Sequence, residues 1–325
     1  MGGDFAPVNE IEGALLAALE KTNELEVYVV GKTNTINEIL KKKNSQPDNL
    51  FVVNADDVIS MEDSPLDSYK SKPNSSLNVS LGLQKDKEVD AVISIGNTGA
   101  VLAHSVLRLG RIEGINRPTI GAMFPAPDGN IMVFDVGASV DCRANHLYEY
   151  ALMGSIFFSH IFNVKNPKVG LLNIGEEKTK GNELTVEAYK LLENSKLNFI
   201  GNIEGRDILF GKADIVVCDG FLGNVLLKFA ESILGILKAR FRTHSEKNIF
   251  NKVWVGMMYG TLKKILADFD YQYHGGVPLL GINGVCIIGH GKSTPLAVKN
   301  MIFRAMEVVK KDVNKKIQEG LSVNS

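Results

Sequence analysis

Short apolar runs that each end in a turn residue alternate with helical patterns along almost the whole of this 325-residue chain. The runs are EVYVVG, LFVVNA, DAVISIG, TIGAMFPA, NIMVFDVG, KVGLLNIG, ADIVVCDG and VCIIGH. Because this alternation is typical of βα units, it predicts an α/β fold in which helices cover a largely parallel sheet. Ligands of such sheets bind beyond the carboxyl ends of the strands, so the polar residues that follow the runs are the candidate site.

One of these strand ends, SIGNTGA at 94–100, opens a helix. The first turn of a helix carries unpaired N–H groups and the positive end of the helix dipole, and both favour an anion. The candidate phosphate-binding residues are therefore Ser94, Asn97, Thr98 and Gly99. The alternative is an ordinary strand-to-helix turn, in which Asn97 or Thr98 serves only as the N-cap.

Three further strand ends, at 135–142, 173–182 and 218–228, are also rich in polar residues. The segment GHGKST at 289–294 imitates the end of a nucleotide P-loop, but that motif requires glycine at the position of Cys286. No G-x-G-x-x-G follows a strand-like run, so a dinucleotide is not expected either. The sequence predicts no cofactor.

Composition excludes several classes of protein. Lys and Arg (36) nearly balance Asp and Glu (37), so the chain lacks the basic field that binds nucleic acid. Cys142, Cys218 and Cys286 are far apart and lack C-x-x-C spacing, which indicates buried reduced thiols and no metal site. No secretion signal is visible, and no window approaches the ~20 apolar residues of a membrane span. We expect a cytoplasmic protein that lies, at most, on a membrane surface.

Six segments closely resemble the bacterial phosphate acyltransferase family (PlsX) and together span essentially the whole chain. They are MGGDFAP, SIGNTGA, HSVLRLGRIEGI, LLNIGEEKTKGNEL, NFIGNIEGRDILFGKADIVVCDGFLGN and LLGINGVCIIGHGKS. The resemblance implies transfer of a long-chain fatty acyl group from acyl carrier protein to inorganic phosphate, forming acyl phosphate for phospholipid synthesis. It also implies one three-layer α/β/α domain over 1–325, similar to isocitrate and isopropylmalate dehydrogenases and to phosphate acetyl- and butyryltransferases.

The resemblance extends to a shorter stretch, CDGFLGNVLLK, which is similar to the D-x-x-x-G-N-x-x-x-K stretch of phosphate acetyltransferases. The matching positions are Asp219, Gly223, Asn224 and Lys228. Because Asp219 directly follows a strand-like run, it is a candidate base or hydrogen-bond acceptor.

Phosphate is already an anion at neutral pH, so it can attack a thioester without an enzyme nucleophile. The remaining need is to stabilise charge and assist the leaving sulfur, for which the candidates are Lys180, Lys228 and His290. Lys180 could instead be a surface lysine, and Lys228 could merely snorkel, with its stem along apolar surface and its ammonium group in water.

Six other polar residues are candidates for the cleft around these groups: Asp4, His104, Asp135, Asn173, Glu176 and Asn182. His104 lies two helical turns beyond Asn97 and is either a base or a packed helix histidine. Asp4 and Asp135 either line the cleft or tie neighbouring loops together, and Glu176 is expected to orient Lys180.

Residues 222–270 are expected, from the resemblance, to form a protruding pair of helices that joins two subunits and touches the inner face of the cell membrane. The candidate membrane contacts are Trp254, Met257, Met258 and Tyr259. The alternative is that a dimer interface buries the same residues. The expected partners are acyl carrier protein, inorganic phosphate, a second subunit, the membrane and a downstream glycerol-3-phosphate acyltransferase, but no nucleic acid.

Two other functions stay open from the sequence: a coenzyme A-dependent short-chain phosphate acyltransferase, and a non-catalytic membrane-associated scaffold. The family usually begins with a short apolar strand that ends in DAMGGD, whereas this sequence starts at the methionine inside that motif. We expect coding sequence for such a strand directly upstream of Met1. Without that strand we expect a gap in the sheet.

Overall fold

The computed structural model describes residues 1–45, 47–127, 129–267 and 275–324. Within these ranges the helices are α1 (Val8–Glu20), α2 (Thr33–Lys42), α3 (Pro65–Ser71), α4 (Ser76–Lys85), α5 (Thr98–Leu109), α6 (Ala144–Phe162), α7 (Glu183–Glu193), α8 (Gly205–Ile208), α9 (Gly220–Ser245), α10 (Ile249–Ala267), α11 (Pro295–Lys310) and α12 (Val313–Asn324). The strands are β1 (Val27–Gly31), β2 (Leu50–Asn54), β3 (Ala91–Ser94), β4 (Thr119–Ala126), β5 (Gly129–Phe134), β6 (Val169–Leu172), β7 (Phe199–Ile203), β8 (Ile215–Val217), β9 (Val277–Leu280) and β10 (Val285–Ile288).

Most of the described strands form one sheet in the order β3-β10-β9-β4-β5-β8-β6-β7. The neighbours β5, β8, β6 and β7 are all parallel, and β3 is parallel to β10. Between these groups, β10 pairs with β9, β9 with β4 and β4 with β5 in antiparallel fashion. The predicted α/β fold with a mostly parallel sheet is confirmed. Three antiparallel pairings in succession, however, make the two parallel groups run in opposite directions.

Two strands, β7 and β9, are absent from the apolar runs of the sequence. In β9, Pro278 has no N–H to give to a strand ladder, which argues against a central strand on local grounds. In β7, Gly201 has a φ of +97°, a backbone conformation that favours glycine. Tertiary pairing overrides both signals, because β9 lies between β10 and β4 and β7 pairs with β6.

The end of β5 is fixed by close packing around Phe134, whose side chain is fully buried. A Cβ added at Gly121 of β4 would clash with Cε1 of this ring. One added at Gly154 of α6 would lie 2.9 Å from Cδ2 on the other edge of the ring. Only glycine at these two positions lets a strand and a helix approach the ring so closely. The backbone that follows, at Asp135, is therefore held in place.

The β1–β2 pair is separate from the large sheet. β1 pairs with β2 and β3 pairs with β10, and no described strand pairs with the opposite edge of β1 or β3. A cavity of about 1030 Å³ lies between these two edges, lined by residues 27–30 and by β3. Both carboxylate oxygens of Glu10, which also lines the cavity, are buried without a hydrogen-bond partner. The sheet is thus interrupted at the position where a further strand would fit.

Helices α9 and α10 pack against each other and expose many large apolar side chains. α9, at 26 residues, is long and apolar enough by length and composition to cross a membrane, unlike the sequence expectation that no segment would be. Its first turns nevertheless contact the body of the protein, because a Cβ added at Gly223 would clash with the carbonyl oxygen of Asp135. α9 therefore begins against β5, and its later turns are exposed.

Candidate functional site

The candidate residues fall into separate groups because the two parallel sets of strands run in opposite directions. The candidates that follow β3 and β10, together with Asp4 from the chain start, are Asp4, Ser94, Asn97, Thr98, Gly99 and His290; with the neighbouring Gly291 they form the β3–β10 cluster. The candidates that follow β5 and β8 are Asp135, Asp219, Asn224 and Lys228; with the neighbouring Ser139 they form the β5–β8 cluster. A third set follows β6: Asn173, Glu176, Lys180 and Asn182. Nothing in the sequence indicated this division.

Asn97 is the N-cap of α5. Its Oδ1 accepts a hydrogen bond from the backbone N–H of Ala100 at 3.0 Å. Its Nδ2 donates to the carbonyl oxygens of Ser60, Met61 and Asp63 at 3.1–3.3 Å. Oδ1 therefore caps α5, as the N-cap interpretation expects, while Nδ2 holds the loop before α3. The groups at this turn that suit an anion are the first backbone N–H groups of α5.

Glycines bring three loops of the β3–β10 cluster into backbone contact. The N–H of Asp4 donates to the carbonyl oxygen of Gly291 at 2.8 Å. A Cβ added at Gly291 would lie 2.8 Å from Oδ1 of Asp4, and one added at Gly2 would lie 3.2 Å from Cα of Gly96. Asp4 thus ties the chain start to the loop after β10.

His290 lies in that loop with its ring orientation fixed by a backbone hydrogen bond. Its Nδ1 accepts from the N–H of Lys292 at 3.1 Å, and its carbonyl oxygen accepts from Ser293 at 2.8 Å. Because a nitrogen that accepts a hydrogen bond in a neutral imidazole carries no proton, the ring proton is assigned to Nε2. His290 therefore presents a hydrogen-bond donor at Nε2.

Asp135 anchors the β5–β8 cluster and is fully buried. Its carboxylate accepts four backbone N–H groups, from Ile120 (3.1 Å), Gly137 (3.3 Å), Ala138 (3.0 Å) and Ser139 (2.7 Å). Burial raises the pKa of Asp135, and these hydrogen bonds oppose the rise. Three of these donors lie in the loop after β5 and the fourth, Ile120, lies in β4. Asp135 thus ties its loop to the neighbouring strand, which is close to the tying role that the sequence left open for it.

The N-terminus of α9, which we call its root, is held by the loop that Asp135 anchors. The carbonyl oxygen of Ser139 accepts from the N–H of Gly220 at 2.8 Å, and Oδ1 of Asp219 caps the helix by accepting from Leu222 at 2.9 Å. Asn224, one turn along, packs against Gly137, where an added Cβ would lie 3.7 Å from its Oδ1. The segment that resembles phosphate acetyltransferases is thus the capped first turn of a helix held by Asp135.

The set that follows β6 forms its own folded loop. Nδ2 of Asn173 donates to the carbonyl oxygen of Lys180 at 2.9 Å, and Asn182 caps α7 by accepting from Thr185 at 3.0 Å. Glu176 does not orient Lys180, because its carboxylate pairs with Nζ of Lys212 at 2.5 Å. The side chain of Lys180 is exposed. The place of this set beside His290 stays a prediction.

His104 is a packed helix histidine and does not line a cleft. It is fully buried, with Nδ1 2.8 Å from Oδ1 of Asn78 and Nε2 3.1 Å from Oγ of Ser68. Burial lowers its pKa. The ring joins α3, α4 and α5, so both nitrogens are used in structure and neither can serve as a base.

The thiols are poor nucleophiles. Cys218 and Cys286 are buried, as predicted, and Cys142 is half-buried. Burial raises the pKa of Cys286 to about 12 and also raises the pKa values of Cys218 and Cys142. Among the described residues no group of three His, Cys, Asp or Glu side chains is arranged to hold a metal ion.

α9 connects the two clusters through Glu231, a residue that sequence reasoning missed. Oε2 of Glu231 lies 3.0 Å from Nζ of Lys228 and 3.9 Å from Nε2 of His290. The helix thus carries Lys228 from the β5–β8 cluster to the loop after β10. The one local signal was the i, i+3 spacing of Lys228 and Glu231, which many surface pairs share.

A family model and similar proteins agree on the family of this chain. The model of the family described as "fatty acid synthesis protein" matches residues 1–316. A phosphate acyltransferase of Cyanothece sp. is 44% identical over 321 residues, which cover 98% of this chain and 92% of that protein. A phosphate acyltransferase of Dictyoglomus turgidum is 43% identical over 324 residues, covering 99% and 96%.

Solved structures with the same fold are more distant in sequence. The EutD phosphotransacetylase from Staphylococcus aureus has a TM-score of 0.61 at 16% identity, covering 93% of this chain and 92% of that one. A 4-hydroxythreonine-4-phosphate dehydrogenase from Klebsiella pneumoniae has a TM-score of 0.56 at 11% identity, covering 93% and 95%. These neighbours agree with the dehydrogenase-like and phosphotransacetylase-like fold expected from the sequence.

Proposed function

We propose that the acyl donor of this enzyme is a long-chain acyl-acyl carrier protein. The chain belongs to the phosphate acyltransferase family, so it is an enzyme of acyl transfer to phosphate in fatty acid and phospholipid synthesis. The product is then a long-chain acyl phosphate. A downstream glycerol-3-phosphate acyltransferase is the enzyme that would consume it.

The observation that carries the proposed site is the meeting of Lys228 and His290 at Glu231. An ammonium group and an imidazole N–H are both donors, and they come from opposite halves of the sheet. The reaction gathers negative charge on phosphate, on the carbonyl oxygen and then on the thiolate, so convergent donors are what it requires. Asn224, one turn before Lys228 and on the same face of α9, adds an amide donor.

In the proposed reaction a phosphate oxygen attacks the thioester carbonyl carbon, and the C–S bond breaks as the thiolate leaves. Phosphate is held at the first turn of α5, where the N–H groups of Thr98 and Gly99 have no partner within the helix. Lys228 offsets the charge of phosphate, and Nε2–H of His290 donates to the oxyanion or the leaving sulfur. Positioning and electrostatics supply the acceleration, and no acyl-enzyme forms.

The test of function is formation of acyl phosphate from palmitoyl-acyl carrier protein and inorganic phosphate, trapped as the hydroxamate. Palmitoyl-coenzyme A and acetyl-coenzyme A serve as parallel donors. Phosphate-dependent product from the carrier-protein donor supports the proposal. A preference for acetyl-coenzyme A identifies the short-chain alternative instead, and no product from any donor identifies the scaffold alternative.

The test of mechanism is the intact mass of the protein after incubation with the acyl donor in the absence of phosphate. The raised pKa values of the three thiols agree with direct attack, so we expect an unmodified mass. A mass increase equal to one acyl group contradicts direct attack.

We also propose that the α9–α10 pair joins two subunits and lies against the inner face of the cell membrane. Phe250, Trp254 and Met257 are 78%, 64% and 66% exposed, and Met258 is 47% exposed. Apolar side chains beside Lys252 suit the surface of an anionic bilayer. The side chain of Tyr259, the fourth predicted contact, lies outside the described residues.

The membrane proposal is tested by co-sedimentation with vesicles that contain phosphatidylglycerol. The double variant Trp254→Glu, Met257→Glu is expected to lose binding, while Leu19→Glu on α1, an exposed apolar residue away from the pair, retains it. Light scattering of the same variants measures subunit number. Binding that the double variant retains contradicts membrane contact, and loss of the dimer in this variant alone points to the dimer-interface alternative.

A further inference from the structure

Glu231 is a carboxylate in a site that, on the proposed function, must accept anionic phosphate. Oε2 of Glu231 faces two donors at once, Nζ of Lys228 at 3.0 Å and Nε2 of His290 at 3.9 Å. A negative charge there repels phosphate, so it does not serve binding of the substrate. We propose that Glu231 is a positioning residue for acyl transfer, which holds Lys228 and His290 in reacting geometry and joins the two halves of the site.

The first support is the geometry of the helix. Lys228 and Glu231 are three residues apart on α9 and therefore lie on one face of it. The side chain of Lys228 is 55% exposed, whereas that of Glu231 is 29% exposed. A long, exposed lysine samples many rotamers, and a fixed acceptor beside it reduces that freedom.

The second support is the orientation of His290. Its Nδ1 is used by the N–H of Lys292, so the ring proton at Nε2 faces Oε2 of Glu231. The same carboxylate oxygen thus serves a side chain that follows β8 and a side chain that follows β10. Because these strands belong to sets of opposite direction, Glu231 links two parts of the site that the sheet does not itself align.

The proposal has a distinctive kinetic consequence. Replacing Glu231 with glutamine removes the charge that repels phosphate and also loosens the two donors. The KM for phosphate should then fall while kcat falls as well, since ground-state binding improves and transition-state stabilisation worsens. A residue that only supports the fold lowers kcat and raises KM, or changes neither.

The experiment compares Glu231→Gln, Glu231→Asp and the control Glu319→Gln, which removes an exposed carboxylate of α12 that is likewise paired with a lysine, Lys316, three residues away. We expect Glu231→Gln to lower kcat about tenfold, the size of one charge-assisted hydrogen bond, and to lower the KM for phosphate about threefold. Glu231→Asp keeps the charge but is one methylene shorter. Its kcat should therefore lie between those of the wild type and Glu231→Gln, and its KM for phosphate should stay at the wild-type value. Glu319→Gln is expected to match the wild type.

A double variant tests the route of the effect. In a Lys228→Met background, Glu231→Gln should lower kcat by a smaller factor than it does in the wild-type background, because one of the two groups that it positions is gone. Equal effects in both backgrounds overturn the proposal, and so does a wild-type kcat in Glu231→Gln.

A binding measurement keeps this test separate from the proposed donor. Titration calorimetry with inorganic phosphate alone is expected to give tighter binding in Glu231→Gln than in the wild type. This binding measurement requires no turnover, so it tests the effect of Glu231 on phosphate even if the wild type is inactive with every acyl donor. Unchanged or weaker phosphate binding in Glu231→Gln overturns the proposal.

Discussion

The two ends of the sheet are built in different ways. At one end β5, β8, β6 and β7 are hydrogen-bonded to one another without interruption, and the buried carboxylate of Asp135 closes the loop after β5. At the other end β3 faces a cavity of about 1030 Å³, and β1 lies on the far side of it. Helices α1 and α4 contact β1 there, and α4 and α11 contact β3. The root of α9 is therefore anchored in a continuous core, whereas the glycine-rich loops of the β3–β10 cluster rest on a sheet that is split.

The largest effect should come from removing the anchor at the continuous end. Asp135→Ala leaves four backbone N–H groups without their acceptor in a buried place, so we expect the free energy of unfolding to fall by about 3–5 kcal/mol. Urea unfolding measures the loss. Asp141→Ala, an exposed carboxylate of the same loop, is the matched control and should stay within about 0.5 kcal/mol of the wild type. Equal losses in the two variants contradict the anchor.

A second, smaller effect tests how tightly that end is packed. Gly121→Ala places a methyl group against the ring of Phe134, so we expect a loss of about 2 kcal/mol from overpacking. Gly256→Ala on α10 meets nothing within 4 Å and should instead stabilise by about 0.5 kcal/mol, since alanine restricts the unfolded chain. Thermal unfolding measures both. A tolerated Gly121→Ala shows that the continuous end is looser than its contacts indicate.

The split end can be tested by filling it. Met1 lines the cavity, so five β-branched apolar residues fused ahead of Met1 can enter between β1 and β3. We expect a gain of about 1 kcal/mol in stability, because apolar area is buried and two strand edges gain partners. A glycine-serine segment of equal length is the control. The same melting temperature for both fusions contradicts a strand-accepting space.

The smallest effect is a pH dependence at the split end. Burial lowers the pKa of His104, so the unfolded chain binds a proton more readily than the folded one. Stability should therefore fall as the pH drops below the unfolded value of about 6.5 and be fully present above it. His104→Gln is expected to flatten the slope of urea midpoints between pH 7.5 and 5.5, and His244→Gln, exposed on α9, is expected not to. Identical slopes in all three proteins refute this role for His104.

Local patterns predicted much of this molecule. Apolar runs bounded by turn residues identified most strands, and the preference of Asn and Asp for helix starts matches the caps at Asn97, Asn182 and Asp219. Family resemblance supplied the fold and the acyl transfer. These features depend on neighbouring residues or on long specific segments, which a sequence displays directly.

The missed features all depend on residues that are distant in sequence. β9 contains proline and exists because β10 and β4 enclose it. The opposed directions of the two parallel groups follow from antiparallel pairings that no single segment encodes. Glu231 and His290 are separated by 59 positions, and only the course of α9 brings them together. A site composed of such contacts cannot be found from spacing alone.

The uninterrupted course of α9 also has a mechanical consequence. At about 1.5 Å per residue, Lys228 lies roughly 12 Å from the root of the helix and its last residue about 38 Å. Since a helix is stiff over that length, a tilt of about 5° moves the tip by roughly 3 Å but Lys228 by only about 1 Å. α9 therefore acts as a rigid arm anchored beside Asp135, in which a movement of the tip gives a smaller movement of Lys228. A surface that holds the tip still therefore also fixes the distance between Lys228 and His290. For small tilts that distance then varies by only a fraction of a bond length.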